Sequence, residues 1–288
     1  METLERDQFN CQVCDTVSNH KLMYHKNTIP VFRCELCGVG QAIAKNFKPD
    51  KYYIDEYFSG GYAEGYIDYA GSEVVLRREF KKTVKYLLQF CKTGGKCLEI
   101  GCAYGFFLQE AKRFFEVYGV EISVAAVHHC KINGLNKVYS GNISESLLQE
   151  IGKIDVAVLL DVIEHFDELD HQISLISAAL KPGAVCLITT GDWSSFFANL
   201  TKAKWRLMSP PGHLWYFTPN SLDILMKRFG LIRVDISYPW KIVPFNLIVN
   251  QLFLMLGWKP HFNFPKIMSN YGILSNLFDT MRVVYKRV

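Results

Sequence analysis

The chain has 288 residues, of which 49% are hydrophobic, and it carries a formal net charge of +4. This length suits one catalytic domain with one or two small additions, and the hydrophobic share excludes a largely disordered protein. The cationic residues are scattered, apart from one cluster at Lys202, Lys204 and Arg206. The composition therefore does not indicate a nucleic-acid-binding protein.

The first residues are charged and show no apolar signal-peptide core, which favours a cytoplasmic location. Thiols stay reduced there, so the nine cysteines point to metal ligands or buried thiols before disulfides. Four of them form two Cys-x-x-Cys pairs, namely Cys11, Cys14, Cys34 and Cys37. The spacing predicts a small N-terminal zinc-ribbon subdomain over residues 1–46, with four thiolates around one structural Zn²⁺.

Two histidines, His20 and His25, lie between the Cys pairs. Four cysteines already complete a tetrahedral zinc site, so we predict that both histidines lie on the surface. Residues 47–72 follow and are rich in Tyr and Gly without a helical or strand period. We predict a lid or linker there, either packed on the core by its aromatic rings or closing over a ligand.

From residue 73 to about 240, strand-like and helix-like segments alternate, beginning with a helical pattern over Glu73–Cys91. The apolar runs are Lys96–Ile100, Val117–Val120, Val138–Tyr139, Ile154–Leu160 and Ala184–Thr189. Such alternation predicts an α/β fold with a doubly wound, mostly parallel sheet. Ligands of such sheets bind beyond the carboxyl ends of the strands, so the functional residues should follow each run.

Helix boundaries can be read from the residues that cap them. Ser123 begins one predicted helix, which Gly134 ends, and the Thr218-Pro219 pair begins another, which Gly230 ends. A further predicted helix, Phe106–Phe115, follows the first strand of the sheet.

Small residues and acids follow the first two strands. The run Glu99-x-Gly101-x-Ala103-x-Gly105 can turn sharply and approach a ligand closely, and Glu121 follows twenty residues beyond Gly101. An acid at that position can accept hydrogen bonds from ribose hydroxyls. Loop and acid together favour an adenosine-type ligand.

Polar side chains also follow the third and fourth strands. Asn142 can meet an adenine edge while Ile143 packs on its face. The run Asp161–Phe166 places two acids and an imidazole after a buried strand, which indicates a functional site. The alternative is that Asp161 only caps a helix and His165 only packs.

In combination these motifs resemble the class I S-adenosylmethionine-dependent methyltransferases. The matching segments are Leu98–Gly105, Glu121, Asn142-Ile143, Asp161–Phe166 and the later run Gly212–Leu222. The resemblance covers roughly residues 73–237. It is greatest to the branch that contains the ubiquinone-biosynthesis O-methyltransferases and methyltransferases of polysaccharide and natural-product pathways.

The resemblance implies a Rossmann-like domain that binds S-adenosylmethionine, with Glu99 facing the methionine end and Glu121 holding the ribose. The cofactor-binding set that it implies is Glu99, Gly101, Ala103, Gly105, Glu121, Ile122, Asn142, Ile143 and Asp161. Ala103 replaces the middle glycine of the commonest loop, and Asn142 replaces the more usual aspartate. Both changes are compatible with cofactor binding.

A methyl transfer to a hydroxyl requires alignment and removal of one proton. A histidine with a near-neutral pKa suits that step, so we predict that His213 or His165 is the catalytic base. Packing or substrate binding is the alternative for each. A divalent metal held by Asp161, Glu164 and His165 is a further alternative.

The sequence leaves the acceptor open. We expect methyl transfer to a hydroxyl of a sugar-containing, carrier-linked or secondary-metabolite molecule. The Cys pairs and the Tyr-rich stretch are similar to those of sugar C-methyltransferases, so a sugar carbon is also considered as the methyl acceptor. An RNA methyltransferase and a non-catalytic binding platform are two further hypotheses.

The region 241–288 is predicted as an apolar, helical C-terminal extension. Its most apolar part, 242–256, has about 15 residues against the roughly 20 of a transmembrane helix, and it contains Pro244, Asn246 and Asn250. We therefore expect a buried helix, an oligomer contact, a wall for a lipid-linked acceptor or a peripheral membrane contact.

Overall fold

In the computed structural model, the described residues are 6–45, 47–48, 52, 69–245, 248–249, 253 and 271–288. They divide into two compact units. The first unit takes residues 1–49, 159–239 and 277–288, and the second takes residues 50–158 and 240–276. The cysteine pairs and both candidate catalytic histidines therefore lie in the first unit, and the glycine-containing loop lies in the second.

The strands and helices alternate through most of the chain. The strands are β1 (Arg6–Cys11), β2 (Thr16–Lys26), β3 (Ile29–Cys34), β4 (Gly40–Ala42), β5 (Lys96–Ile100), β6 (Glu116–Glu121), β7 (Val138–Ser140), β8 (Ile154–Leu160), β9 (Leu180–Gly191), β10 (Trp215–Tyr216), β11 (Leu231–Ser237), β12 (Lys241–Pro244), β13 (Gly272–Ser275) and β14 (Thr280–Arg287). The α-helices are α1 (Glu73–Leu87), α2 (Phe106–Ala111), α3 (Val124–Ile132), α4 (Glu145–Ile151), α5 (Leu169–Ala179), α6 (Phe196–Thr201) and α7 (Pro219–Arg228), with 3₁₀ turns at Ile163–His165 and Lys202–Lys204.

The second unit contains the parallel strands, in the order β8-β5-β6-β7. Both β5 with β6 and β6 with β7 pair in parallel. The strands predicted at Lys96–Ile100 and Ile154–Leu160 are confirmed at those residues. Four of the five β5 side chains and five of the seven in β8 are buried, as expected for strands covered on both faces.

The predicted helix boundaries agree with the caps that the structure shows. The Ser123 hydroxyl accepts a hydrogen bond from the Ala126 N–H at the start of α3. Thr218 and Ser221 form a capping box at the start of α7, with Pro219 in its first turn. The predicted helix Phe106–Phe115 is shorter than expected, because α2 ends at Ala111.

The first unit contains two antiparallel groups of strands. One has the order β1-β2-β3-β4-β10. The four strands of the N-terminal ribbon are therefore extended by β10, which comes much later in the chain. The other has the order β11-β14-β9, with β14 antiparallel to both neighbours. The prediction of a helical C-terminal extension is therefore wrong for β12, β13 and β14, whereas residues 248, 249 and 253 are helical. β14 has five buried side chains out of eight, which a central strand requires.

The prediction of two surface histidines holds for His25 and is wrong for His20. His25 is exposed, but His20 is fully buried. His20 lies on β2 opposite Cys34, and its ring stacks on Phe9 with centroids 3.6 Å apart. Stacking against an aromatic ring on β1 therefore accounts for its burial.

Two predicted segments fall largely outside the described residues. Most of the Tyr-rich segment 47–72 does so, but Tyr69 is described and stacks on Phe106 with centroids 5.3 Å apart. Most of 242–256 also lies outside them, so its predicted roles stay predictions. Among the described residues, no helix combines the length and the apolar character that a membrane crossing needs.

Candidate active site

The loop after β5 is tied closely to the neighbouring strand. The backbone N–H groups of Gly101 and Cys102 both donate to the Val120 carbonyl, at 2.8 and 3.1 Å. Gly105 has a φ of +74°, and a Cβ there would lie 2.4 Å from Leu135 Cδ1. Glycine is therefore required at Gly105 on both conformational and steric grounds.

Ala103 takes a left-handed conformation, with φ +46°, at the position where the commonest loop has glycine. This backbone is strained for a residue with a Cβ, and two hydrogen bonds hold it in place. Its N–H donates to Glu121 Oε2 at 2.8 Å, and its carbonyl accepts from Cys130 Sγ at 3.3 Å.

Glu121 lies at the end of β6 and is buried. Its Oε1 accepts a second hydrogen bond, from the Ser123 N–H at 2.9 Å. Burial raises the pKa of Glu121, and the N–H groups of Ser123 and Ala103 oppose that shift. The carboxylate thus joins the loop to the start of α3, in addition to the ribose-binding role implied for it.

Glu99 is another buried carboxyl group of the second unit. Its Oε2 is buried and has no hydrogen-bond partner among the described residues. Burial, followed by the nearby Cys130 thiol and Glu121, raises the pKa of Glu99 well above its usual value. A buried acceptor without a donor is costly unless a ligand supplies one. A cationic ammonium group, such as that of S-adenosylmethionine, fits this position.

The remaining predicted cofactor residues follow β6, β7 and β8. Ile122 is partly buried, Asn142 is exposed and Ile143 is buried. The exposed amide beside a buried aliphatic side chain is the arrangement expected for an adenine edge and face. Asp161 belongs to the first unit, whereas the other members of the set belong to the second.

Asp161 follows β8 directly and has a φ of +57°. Its N–H donates to the Thr189 carbonyl, and its Oδ1 accepts from the Thr189 hydroxyl at 2.9 Å. Asp161 caps neither α5 nor the 3₁₀ turn, which begin after Glu168 and Val162. The helix-cap alternative for Asp161 is therefore wrong.

The two predicted histidines come together in the first unit. Their ring centroids are 4.8 Å apart, with His165 in the 3₁₀ turn after β8 and His213 two residues before β10. Glu164 joins them, since one ligand atom from each of the three residues lies within 4.8 Å of the others. The Leu214 N–H, next to His213 in the chain, also donates a hydrogen bond to the Glu164 carbonyl.

Hydrogen bonds to backbone carbonyls orient both imidazole rings. His165 Nδ1 lies 2.8 Å from the Gly212 carbonyl, and His213 Nδ1 lies 2.8 Å from the Leu207 carbonyl. A carbonyl can only accept, so a neutral ring carries its proton on Nδ1 there. Glu164 is buried and accepts from the Thr190 hydroxyl at 3.0 Å.

Burial lowers the pKa of both imidazoles. The pKa of His213 falls to about 3, with the neighbouring His165 as the second cause, and the pKa of His165 is lowered as well. The expected near-neutral pKa is therefore not found at His213, and the downward shifts leave both rings neutral at pH 7. A neutral imidazole can accept a proton, although less readily than a free one.

The same three residues could hold a divalent metal ion. Two histidines and a carboxylate are suitable ligands, and hydrogen bonds from the ring Nδ1 atoms to carbonyls are common in metal sites. The metal set predicted from the sequence was Asp161, Glu164 and His165. The structure groups His213 with Glu164 and His165 instead.

A pocket of about 180 Å³, which includes space open to solvent, adjoins the histidine cluster. It is lined by Glu164, Thr190, Gly191, Trp205, Leu207, His213, Trp215 and Tyr216. The polar side chains of this small pocket lie among aromatic ones. Thr190 and Trp205 could not be singled out from the sequence, since Thr190 lies inside a buried strand and Trp205 lies in an irregular segment.

The four ribbon cysteines form one cluster. The Sγ atoms of Cys11 and Cys37 are 3.7 Å apart, those of Cys14 and Cys34 are 3.9 Å apart, and all four lie within 4.8 Å. A tetrahedron with Zn–S bonds of about 2.3 Å has S···S edges of about 3.8 Å. These separations are far longer than a disulfide bond and fit a Zn(Cys)₄ site.

The close approach of these thiols shifts their pKa values in opposite directions. A hydrogen bond from Cys37 lowers the pKa of Cys11 to about 4, whereas burial raises that of Cys14 to about 12. The bond to Cys11, together with burial, also raises the pKa of Cys37. Without a metal, neighbouring thiolates repel each other, so one ionises at the expense of the rest.

Comparison with known proteins identifies related sequences. The family described as "Methyltransferase domain" matches residues 75–234, more than half of the chain. A ubiquinone biosynthesis O-methyltransferase of Rhodopseudomonas palustris is 24% identical over 193 residues, which cover 61% of this chain and 75% of the relative. Its counterpart in Cereibacter sphaeroides is 27% identical over 206 residues, 65% of this chain and 81% of the relative.

Solved structures share the fold. A SAM-dependent methyltransferase from Archaeoglobus fulgidus aligns with a TM-score of 0.51 at 17% identity, over 73% of this chain and 94% of the other. At this identity the likeness concerns the fold alone. It confirms the Rossmann-like α/β fold with a mostly parallel sheet that the strand pattern predicted.

Proposed function

For a chain that belongs to the methyltransferase-domain family and transfers methyl groups from S-adenosylmethionine, we propose that the acceptor is a hydroxyl group of a small molecule. The observation that carries the proposal is the cluster of Glu164, His165 and His213 beside an aromatic pocket. A hydroxyl needs a proton acceptor during methyl transfer, and neutral imidazoles can provide one.

The second unit holds the cofactor in this proposal. Glu99 accepts hydrogen bonds from the ammonium group of the methionine part, and Glu121 accepts from the ribose hydroxyls while it retains the loop. The other residues of the proposed set are Gly101, Ala103, Gly105, Ile122, Asn142, Ile143 and Asp161. The bound cofactor supplies an electrophilic methyl group.

The first unit holds the acceptor. In this proposal the acceptor hydroxyl lies beside the histidine cluster, next to the buried side chains of Trp205, Trp215 and Tyr216. We assign the base to His213 or His165, because both rings direct Nδ1 to a carbonyl and leave the deprotonated nitrogen as a proton acceptor in the neutral ring. Sugar-containing, carrier-linked and secondary-metabolite hydroxyls remain the preferred acceptors.

The experiment is a methyl-transfer screen with methyl-labelled S-adenosylmethionine. Phenols, nucleotide sugars and lipid-linked sugars serve as acceptors, and His165→Ala and His213→Ala are compared with an exposed-histidine control, His25→Ala. We expect at least one of the two variants to lose about 10²-fold in turnover, as removal of a general base does. Wild-type turnover in both variants would contradict the assignment.

A metal ion bound by the same cluster would give a different outcome. If Glu164, His165 and His213 bind a divalent cation, a chelator that leaves the ribbon zinc in place abolishes turnover, and added Mg²⁺ or Mn²⁺ restores it. Turnover that resists this chelator favours the base.

Sugar C-methylation, an RNA acceptor and a non-catalytic role each need a separate test. Analysis of the labelled product distinguishes O-methylation from C-methylation of a sugar. Arg206 Nη2 pairs with Asp279 Oδ1 at 2.8 Å, which reduces the basic cluster expected of an RNA-binding surface. Failure to bind RNA at low salt would exclude that acceptor. Calorimetry with S-adenosylhomocysteine tests the non-catalytic platform, which would not bind it.

We propose a structural Zn²⁺ at Cys11, Cys14, Cys34 and Cys37. The sulfur separations and the clustering of the four thiols support it. Metal analysis of the purified chain should find about one zinc per chain, and none in Cys37→Ser.

A further inference from the structure

The ribbon and the pocket segment share one sheet. β10 pairs with β4 through Trp215 opposite Gln41 and Tyr216 opposite Gly40. The Ala42 N–H also donates to the Leu214 carbonyl at 2.8 Å. The residues that follow His213 are therefore held by the strand that follows the second cysteine pair.

The cysteines define the turn that leads into this strand. Cys34 ends β3, and its N–H donates to the Val39 carbonyl at 2.9 Å. The Gly38 N–H donates back to the Cys34 carbonyl at 3.0 Å. A metal bound at Cys34 and Cys37 would fix this turn, and with it the start of β4.

The tip of the β2–β3 hairpin holds the other end of the same segment. Asn27 Nδ2 donates to the Pro210 carbonyl at 2.9 Å, and Lys26 Nζ donates to the Ala203 carbonyl at 3.1 Å. Ribbon residues thus bind the backbone before and after His213.

A shared apolar core joins the two parts. Trp193 covers Gly40 so closely that a Cβ at Gly40 would lie 2.3 Å from its ring. The guanidinium carbon of Arg33 also lies over the Trp193 ring, 5.7 Å from its centroid. The buried members of the cluster are Val31, Ala42, Trp193, Ala198, Trp205, Met208 and Tyr216, drawn from the ribbon and from residues 193–216.

We propose that the zinc ribbon is a positioning element of the acceptor pocket, in which metal binding at the four cysteines and the Gly40–Trp193 contact hold the segment 207–216 in place. This proposal rests on the proposed function only in that the pocket beside His213 is called the acceptor pocket. A structural metal contributes folding free energy to a small ribbon, in addition to the apolar core that this ribbon shares with residues 193–216. Loss of zinc therefore releases β4, β10 and the loop that carries His213, while the second unit keeps its cofactor site.

Three full-length variants test the proposal. Cys37→Ser removes a metal ligand. Gly40→Ala keeps all four thiols but displaces the Trp193 ring, and Gly40→Ala/Trp193→Phe removes the atoms that the new Cβ would meet. Cys91→Ser is the matched control, a partly buried thiol of the second unit outside the ribbon.

The measurements are zinc content, hydrogen exchange of peptides covering 205–217 and 96–121, and calorimetry with S-adenosylhomocysteine. In Cys37→Ser and Gly40→Ala we expect exchange at 205–217 to rise about tenfold or more, with 96–121 and the affinity within about twofold of wild type. Gly40→Ala should retain zinc, and the double variant should restore slow exchange. Cys91→Ser should behave as wild type.

Two results would overturn the coupling. One is wild-type exchange at 205–217 in both Cys37→Ser and zinc-retaining Gly40→Ala. The other is an equal rise at 96–121, which would show general unfolding instead of local release. If the variants show the expected exchange pattern but wild-type protein binds no S-adenosylhomocysteine, the proposed function is refuted and the coupling stands.

Discussion

Burial shifts the pKa values of the candidate site residues in opposite directions in the two units of the molecule. In the second unit, burial raises the pKa of Glu99 and Glu121, whereas in the first unit it lowers the pKa of His165 and His213. Burial disfavours the charged form in both cases. A cationic ligand at Glu99 would favour its charged form, while the partly buried imidazoles stay neutral and can accept a proton. In the proposed function, the cationic cofactor therefore meets a buried carboxyl group and the acceptor hydroxyl meets a neutral base.

The largest expected effect tests the cofactor side. Glu99→Gln should weaken S-adenosylhomocysteine binding about 10- to 100-fold, because a charge-assisted hydrogen bond contributes about 1.5–3 kcal/mol. The free protein should not lose thermal stability, since Glu99 Oε2 has no hydrogen-bond partner to lose and a neutral amide avoids the cost of burying a charge. Calorimetry and thermal unfolding measure the two effects.

Glu110→Gln is the matched control for Glu99→Gln. Glu110 is also a buried acid of the second unit, but Arg77 Nη2 pairs with it at 2.6 Å. We expect the opposite pattern, with lower stability and unchanged affinity. A Glu99→Gln protein that binds as tightly as wild type would remove Glu99 from the cofactor site.

The next effect tests the neutral imidazoles. His213 has a pKa of about 3 in the folded chain and about 6.5 when unfolded. Between these values the unfolded state binds more protons, so stability falls as the pH falls below about 6.5. From pH 7 to pH 5 this one group should cost about 2 kcal/mol, at about 1.4 kcal/mol per pH unit.

Urea unfolding at pH 7, 6 and 5 measures this dependence. His213→Asn should reduce the acid-induced loss, whereas His25→Asn, at an exposed position, should leave it unchanged. If His213→Asn and wild type lose the same stability, His213 is not buried in its neutral form.

A smaller effect concerns Asp161, the one member of the cofactor set in the first unit. If its carboxylate touches the cofactor, Asp161→Ala should weaken S-adenosylhomocysteine binding about tenfold, through loss of one charge-assisted hydrogen bond. Asp167→Ala, at an exposed acid of the same segment, is the control. Equal affinities would exclude Asp161 from the cofactor site.

The smallest effect separates helix stability from ligand binding. Ser123 caps α3 and Ser195 caps α6, so replacement of either by Ala should cost about 1 kcal/mol. Affinity for S-adenosylhomocysteine should stay within about twofold in both, because Glu121 is held by the Ser123 backbone N–H and not by its hydroxyl. A large loss in Ser123→Ala would show that the cap itself shapes the cofactor site.

The cofactor side could be predicted from the sequence because its signals are local. β5 and β8 have the predicted bounds, Gly105 lies in the loop after β5, and Glu121 is the last residue of β6. The four cysteines likewise came from spacing alone, and they cluster as that spacing predicts. Each of these features depends on neighbours in the chain or on a short repeat.

The acceptor side could be predicted only in part because its contacts span long sequence distances. His165 and His213 were each predicted as candidates. Their proximity in space depends on a contact between His165 and the Gly212 carbonyl, which lies 47 residues later in the chain. The pairing of β4 with β10 brings together residues about 175 positions apart, and no periodicity predicts it. The near-neutral pKa expected for His213 was wrong because burial depends on that same long-range packing.

The position of β14 has a consequence for how the first unit folds. β14 lies between β9 and β11, yet it follows both of them in the chain. During synthesis β9 therefore has one open edge until residues 280–287 leave the ribosome, and an open edge of apolar strand invites pairing with other chains. Chaperone dependence, inclusion-body formation and sensitivity to substitutions in 280–287 should consequently concentrate in this unit.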